Sequence, residues 1–195
     1  MGDKSLQKRK YIIEKARNVF YRNGYRAVTM KDIVEACDIS RGGLYLYFSN
    51  TKELFEAVLA EEYAGVGSAM EKAQASHATP GEVMLQYLDE QKKVILRKKD
   101  NIAAAIYEYL FENKPVKNDN PVKKLFLENI AALEKLIADG VAQEWMVCED
   151  AAEAARNIAY TIEGLKVSAQ TIGVTAEAVD REIEYIMGTL GMVVK

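Results

Sequence analysis

The chain contains few of the residues on which metal and redox sites depend. Its 195 residues include two cysteines, Cys37 and Cys148, which are far apart and lack metal-type spacing. We interpret them as reduced thiols of a cytoplasmic protein. With a single histidine, His77, neither a zinc site nor a histidine-based catalytic triad is expected. The sequence therefore predicts no metal and no cofactor.

Long apolar runs and targeting signals are also lacking. No run approaches the roughly 18 residues of a membrane span. The first ten residues, MGDKSLQKRK, are too polar for a secretory signal. We therefore expect a cytoplasmic protein with no membrane partner.

Sequence signatures of enzymes are missing too. There is no nucleophile elbow, P-loop, zinc or redox motif. Gly65-Val66-Gly67 resembles part of a nucleotide-binding loop, but it lacks the preceding strand and the third glycine. The sequence predicts a protein that is not an enzyme.

The charges are distributed unevenly along the chain, although the net charge is only −3. Residues 1–50 hold ten Lys and Arg against five Asp and Glu, a local net charge of +5. Residues 51–195 hold sixteen against twenty-four, a local net charge of −8. A basic head on an acidic body indicates that the head meets a polyanion. The alternative is a chance cluster of charges on a solvated face.

Helix-favouring residues dominate a chain with only three prolines, and the apolar spacing predicts about nine helices and no strands. The first helix covers residues 5–23 and ends at Gly24. Helix four is predicted to run to about residue 75 despite Gly65 and Gly67. Later helix starts are marked by capping residues at Thr29, Ser40, Asn50, Thr79, Asp100, Asn120, Asp150 and Thr175. The predicted fold class is all-α, with a three-helix bundle at 1–50 and a larger bundle at 51–195.

The stretch CDISRGGLYLYF, residues 37–48, places two glycines at the start of a helix, where each costs about 1 kcal/mol relative to alanine. A short helix, a turn at Asp38 and a helix capped by Ser40 make a helix-turn-helix, whose second helix lies in the DNA major groove. Gly42 and Gly43 would let the backbone approach the sugar-phosphate closely. Arg41 can bind guanine or a phosphate.

Two tyrosines, Tyr45 and Tyr47, follow in the same stretch and carry hydroxyls that can donate to phosphates. Leu44 and Phe48, four residues apart, are predicted to face the core. For Tyr45, packing with a solvated hydroxyl is an equal alternative.

Many residues within 8–55 stand at a fixed spacing that forms one specific pattern. They are Phe20, Asn23-Gly24-Tyr25, Thr29, Ile33, Ile39-Ser40-Arg41-Gly42, Leu44-Tyr45, Tyr47-Phe48, Asn50, Glu53 and Leu54. In these residues the segment resembles the N-terminal domain of the TetR family of bacterial transcriptional repressors. The resemblance implies a homodimer that binds a palindromic operator in double-stranded DNA and leaves it when a small molecule binds the C-terminal domain.

The resemblance also implies roles for individual residues. Thr29 and Lys31 would contact phosphate at the start of helix two. Bases and the DNA backbone would be contacted by Ser40, Arg41, Gly42 and Gly43, and further phosphates by Tyr45 and Tyr47. The family usually has lysine where this chain has Thr51, so the phosphate contact there falls to Thr51 or Lys52. The start of helix four would offer its amides to another phosphate. Asp38 replaces the usual glycine of the turn.

The acidic half offers candidates for a ligand pocket and a dimer interface. The pocket candidates are Met84, Tyr87, Tyr107, Glu108, Phe111, Phe126, Trp145, Tyr160 and Glu163. Ordinary core packing is the alternative for the apolar ones, and a solvated face for the glutamates. In the family, helices eight and nine pair with their copies, which suggests Ile158, Ile162, Ile183 and Ile186 for the interface. Control by a protein partner, or by no ligand, remains the alternative function.

Overall fold

Every regular element among the described residues, 3–61, 78–97, 102–113 and 120–192 of a computed structural model, is a helix. The predicted all-α class is therefore confirmed. The predicted continuation of helix four through Gly65 and Gly67, and the predicted cap at Asp100, lie outside the described residues. In chain order the helices are α1 Asp3–Asn23, α2 Met30–Cys37, α3 Arg41–Tyr45, α4 51–61, α5 Pro80–Leu96, α6 Ala103–Asn113, α7 Pro121–Ala142, α8 Ala151–Thr171 and α9 Ala176–Thr189.

Local capping chemistry explains where these helices begin. Thr79 and Glu82 form a full capping box at α5, with the Thr79 amide donating to the Glu82 carboxylate at 2.8 Å. At α4 the reciprocal bond differs from the prediction. Asn50 Oδ1 accepts from the Glu53 amide at 2.8 Å, but the Glu53 carboxylate accepts from the amide of Ser49 at 2.7 Å. The cap is thus one residue wider than the sequence indicated.

The left-handed turns expected at Gly24 and Asp38 are present. Gly24 has φ +75° and directly follows the last residue of α1, while Asp38 has φ +50° at the end of α2. Asparagine and aspartate tolerate this conformation better than other side chains. Asp38 therefore supplies the left-handed residue that the turn between α2 and α3 requires.

An N-terminal unit comprises Met1–Gly65 and Lys98–Pro115. It extends past residue 50, where the sequence placed a boundary, because α4 and α6 bury their apolar faces in the same core. Phe20, Phe55 and Tyr25 meet there, with the Phe20 and Phe55 ring centroids 4.7 Å apart. Other buried members are Ile12, Ala16, Ile33, Leu44, Phe48, Leu54, Val58, Leu59, Ala105 and Tyr109.

A C-terminal unit comprises Val66–Arg97 and Val116–Lys195, and its described helices are α5, α7, α8 and α9. Helices α7 and α8 pack along each other, and α5 packs against α7, α8 and α9. An ion pair between Lys92 and Asp180 joins α5 to α9. The core contains Met84, Leu88, Leu133, Ile137, Ala155, Ile158, Ile162, Val179 and Ile186. Of the helices described, none is long and apolar enough to cross a membrane.

Candidate nucleic-acid interface

Helices α2 and α3 form the predicted helix-turn-helix. The turn is closed by the Asp38 amide donating to the Glu35 carbonyl at 3.3 Å. Leu44 is fully buried and fixes α3 on the core of the N-terminal unit. From α1, the Tyr11 hydroxyl donates to the Cys37 carbonyl at 3.3 Å and holds the end of α2. The opposite face of α3 is left exposed.

The two glycines of α3 stand in different surroundings. Ser40 caps the helix, since its Oγ accepts from the Gly43 amide at 3.1 Å. A Cβ on Gly43 would lie 3.1 Å from that same oxygen, so the cap itself restricts this position. A Cβ on Gly42 would meet nothing within 4 Å. Nothing in the packing of the protein therefore requires a glycine at 42.

An aromatic contact orients the arginine of α3. The Arg41 guanidinium lies over the ring of Tyr45, 5.5 Å from its centroid, and both side chains are exposed. Residues four apart on a helix share a face, so this stack extends along the exposed side of α3. Tyr47 is half-buried and packs against the core.

The structure reveals two further residues at this surface that the sequence analysis missed. Leu46 is 83% exposed at the end of α3. Arg9 of α1 places its guanidinium over the Phe48 ring, 5.1 Å from the centroid, close to the start of α4. The helical spacing held a signal for Leu46, because a residue between the buried Leu44 and Phe48 must face away from them. No local pattern predicted the position of Arg9, since that contact joins distant parts of the chain.

At the start of α2, the exposed Lys31 lies next to the capping residue Thr29, whose polar groups are already hydrogen-bonded. The amide and hydroxyl of Thr29 both donate to Asp32 Oδ2 at 2.7 Å, and the hydroxyl bond is the main cause that lowers the pKa of Asp32. The Thr29 hydroxyl is thus engaged within the cap. Lys31 is exposed, with its ammonium 3.7 Å from Glu35 in a solvated i,i+4 pair worth little in stability.

The start of α4 is arranged in the same way. The Glu53 carboxylate is held by Ser49, and this contact lowers the pKa of Glu53. An anion of the protein therefore already occupies part of the helix N-terminus that was expected to meet a phosphate. Lys52 is exposed, with its ammonium 3.9 Å from Glu56, while Thr51 is half-buried.

Three of the predicted pocket residues, Tyr107, Glu108 and Phe111, lie on α6 in the N-terminal unit. Glu108 accepts hydrogen bonds from the backbone amides of Tyr25 at 2.8 Å and Arg26 at 3.0 Å. Its carboxylate therefore holds the turn after α1. Phe111 is 75% exposed, and Tyr107 is half-buried.

The other six pocket candidates lie in the C-terminal unit. Met84 is fully buried in the core, and Trp145 packs over Gly81, where a Cβ would lie 3.3 Å from the indole ring. The rings of Phe126 and Tyr160 meet edge to face, with their centroids 5.0 Å apart. The remaining two candidates are Tyr87 and Glu163.

Polar side chains from two other helices, α7 and α8, accompany Tyr87 of α5. Its hydroxyl accepts from the amide of Asn129 at 3.3 Å, and burial is the main cause that raises the pKa of Tyr87, with the Glu163 charge contributing. Lys166 places its ammonium 3.9 Å from Glu163. Neither Asn129 nor Lys166 was singled out by the sequence. A separate hollow of about 240 Å³ in this unit is lined by Ala78, Pro80, Val83, Lys135, Leu136, Asp139 and Gln143, none of them a predicted pocket residue.

The predicted interface isoleucines point largely into their own chain. Ile158, Ile162 and Ile186 are buried in the core of the C-terminal unit, and Ile183 packs against that core in a half-buried position. Different residues of the same helices are exposed at helical spacing. They are Tyr160, Gly164, Val167 and Thr171 on α8, and Arg181, Tyr185 and Gly188 on α9.

The exposed helix-turn-helix, within residues 1–50 that carry a net positive charge, places this chain among helix-turn-helix DNA-binding proteins. Comparison with known proteins shows which family this N-terminal region resembles. Residues 12–58 match the family model described as bacterial regulatory proteins, tetR family. YfiR, an uncharacterized HTH-type transcriptional regulator of Bacillus subtilis, is 38% identical over 101 residues, which span 51% of this chain and 48% of YfiR. Residues 12–58 of this chain are thus a DNA-binding domain of the TetR type, which is found in a family of transcriptional regulators.

Solved structures share the fold over nearly the whole chain. A TetR-family transcriptional regulator from Agrobacterium tumefaciens has a TM-score of 0.77 at 16% identity, covering 95% of this chain and 98% of that one. AibR, in complex with isovaleryl coenzyme A and operator DNA, has a TM-score of 0.64 at 14% identity, covering 95% and 100%. At these identities the likeness concerns the fold. The sequence match to YfiR spans about half of that relative's length.

Proposed function

We propose that this protein is a DNA-binding transcriptional repressor that recognises a palindromic operator through α3 and leaves it when a small molecule binds the C-terminal domain. The single observation that carries the DNA-binding part is the exposed face of α3. There Arg41 is stacked on Tyr45 beside a glycine, Gly42, that the protein's own packing does not require.

Distinct tasks follow for the residues around α3. Arg41 would read guanine by bidentate hydrogen bonds or hold a phosphate. The tyrosine hydroxyls would donate to phosphates, as would the exposed ammonium groups of Lys31 and Lys52. Ser40 would mainly cap α3, and Thr29 would cap α2. Gly42 would allow the helix backbone to approach the sugar-phosphate.

Two features support a two-fold dimer as the DNA-binding form. One recognition helix covers one half-site, and a palindrome repeats its half-sites about one helical turn apart. The exposed stripes of α8 and α9, which include Tyr160, Val167 and Tyr185, leave apolar surface for a second copy of the chain. The protein would act in the cytoplasm, where it meets the operator.

The small-molecule response is proposed on two grounds. AibR, which shares the fold, was solved with isovaleryl coenzyme A and operator DNA together. In this chain, Tyr87, Asn129, Glu163 and Lys166 supply polar groups from three helices of the C-terminal unit. Such convergent polar groups beside aromatic residues are typical of ligand sites. Control by a protein partner would instead use exposed apolar residues such as Leu127 or Val147.

Selection of bound fragments from random duplexes tests the proposal. We expect a palindromic consensus and an affinity that falls steeply with salt, because several phosphate contacts release counterions. Arg41→Ala should relax base preference at one position, at a cost of about 1–3 kcal/mol. Lys52→Ala, the matched variant that removes a proposed phosphate contact, should weaken binding to all sequences equally. If no duplex is enriched over random sequence, the protein is not a sequence-specific DNA-binding protein.

A further inference from the structure

The exposed surface of the recognition helix α3 includes an apolar side chain at its end. Leu46 is 83% exposed, whereas its neighbours Leu44 and Phe48 are in the core. A polar side chain at this position would serve the packing of the N-terminal unit equally well. An exposed leucine here is therefore available for a contact outside the protein.

The backbone holds Leu46 in register with the recognition helix. Its φ and ψ of −67° and −21° are helical, and its amide donates to the Gly42 carbonyl at 3.2 Å. Residues 42 and 46 are thus four apart on one continuous helical turn and share a face. Because Gly42 has no side chain, nothing covers Leu46 from that position.

A second row of residues runs beside this one. Arg41 and Tyr45 are also four apart, and the arginine lies on the tyrosine ring. The exposed face of α3 therefore presents a polar row next to an apolar one. In the major groove the matching pattern is a set of hydrogen-bonding base edges next to the 5-methyl group of thymine.

Building on the proposed function, we infer that Leu46 is a specificity-determining residue that reads the 5-methyl group of a thymine in each half-site. Leucine cannot hydrogen-bond to a base or a phosphate, so its contact with DNA is restricted to apolar groups. In the major groove the thymine methyl is the apolar group on the base edges. The Arg41 contact and the Leu46 contact would fall on neighbouring base pairs.

Uracil scanning of the selected operator tests this inference directly. Each thymine of a half-site is replaced in turn by uracil, which removes only the methyl group, and affinity is measured at one fixed salt concentration. For the wild-type protein, one position per half-site should lose about fourfold in affinity, the value for one methyl-sized group leaving a buried contact. The other thymines should be unaffected.

The variant Leu46→Ala completes a double-mutant cycle. It should bind the thymine operator on the order of tenfold more weakly, and the same uracil replacement should then change affinity by less than about twofold. Leu46→Met keeps an apolar side chain and should retain the sensitivity to uracil. Leu127→Ala, at an exposed leucine of α7, should leave both affinities unchanged.

Three results would overturn the inference. The first is a selected half-site without thymine. The second is a wild-type protein indifferent to uracil at every position, a measurement that does not depend on any variant. The third is an unchanged uracil effect in Leu46→Ala. In all three cases the protein still binds its operator, so the proposed function stands, whereas a protein that enriches no duplex would remove both.

Discussion

The carboxylate of Glu108 accepts a hydrogen bond from the backbone amide of Tyr25 at 2.8 Å, across 83 positions of sequence. The same oxygen accepts from the Arg26 amide, so a side chain of α6 closes the turn that leads from α1 to the helix-turn-helix. The adjoining Gly24 has φ +75°, and a Cβ there would lie 2.7 Å from this carboxylate. The absence of a side chain at Gly24 therefore leaves the space that the Glu108 carboxylate occupies.

Removing that carboxylate should loosen the N-terminal unit. Hydrogen bonds to a charged acceptor contribute about 1.5–3 kcal/mol, so Glu108→Ala should lower the free energy of unfolding by about 2 kcal/mol. Glu108→Gln keeps one accepting oxygen and should lose less. The control is Glu112→Ala, which removes only the exposed 3.3 Å ion pair with Arg26 and should cost less than about 1 kcal/mol. Urea denaturation gives these values, and equal losses for both alanine variants would contradict the assignment.

Alanine at position 42 should separate stability from DNA binding. The new Cβ meets nothing in the protein, so Gly42→Ala should raise the free energy of unfolding by up to about 1 kcal/mol. The same methyl group would stand where the DNA backbone approaches, so operator affinity should fall. Denaturation and fluorescence anisotropy with the selected duplex measure the two effects.

Gly43→Ala is the matched control for that variant. Its Cβ would lie 3.1 Å from Ser40 Oγ, so it should disturb the cap and lower stability instead. Full operator affinity in Gly42→Ala would show that close approach of DNA is not the reason for this glycine.

Lys166 should reduce stability at neutral pH. Its side chain is 29% exposed, and burial lowers its pKa below the ordinary 10.5. At a pH between the lowered folded-state pKa and 10.5, the unfolded chain binds more protons at this lysine than the folded chain does. The loss of folding stability caused by Lys166 is therefore largest below this pH range. It shrinks as the pH rises through the range. Lys166→Met should therefore raise the melting temperature at pH ~7, and the gain should narrow toward pH ~10.

Lys135→Met, at an exposed lysine of α7, serves as the control for Lys166→Met and should show no such trend. Thermal unfolding of both variants across this pH range provides the comparison. A loss of stability in Lys166→Met at every pH would mean that its pairing with Glu163 outweighs the effect of burial.

The dimer proposal is tested at the exposed face of α8. Val167 is 40% exposed within a single chain, so Val167→Glu should leave the protomer folded. In a dimer joined through α8 the new carboxylate would be buried without a partner, at a cost of several kcal/mol, and the variant should sediment as a monomer. Leu127→Glu, on α7, should remain dimeric. A wild-type protein that sediments as a monomer at micromolar concentration would refute the proposal.

Features set by neighbouring residues were predictable from the sequence. The cap at Ser40, the left-handed Asp38 and the burial of Leu44 and Phe48 follow from short-range chemistry and helical spacing. These features define the helix-turn-helix and the residues on its surface.

Features that depend on distant partners were not predictable in this way. The apolar pattern of α6 shows that one face is buried, but it does not specify the partner. The sequence pattern therefore suggested a ligand pocket for Glu108, while in the structure its carboxylate accepts a hydrogen bond from the Tyr25 amide. It likewise gave Ile158 to a dimer interface, although the core of its own chain buries this residue.

The N-terminal unit is assembled from two separated stretches of chain, and this determines when it can form during synthesis. Tyr109 of α6 packs its ring 5.2 Å from that of Phe55 and donates a hydrogen bond to Glu56 at 2.6 Å. Until the ribosome has made α6, Phe55 can pack against Phe20 and Tyr25 but lacks the Tyr109 ring, and Glu56 lacks the hydrogen bond from Tyr109. Translation must therefore pass through α5, an element of the other unit, before the DNA-reading head is complete. A fragment ending after α4 would consequently be an unfinished protein, and not a portable DNA-binding module.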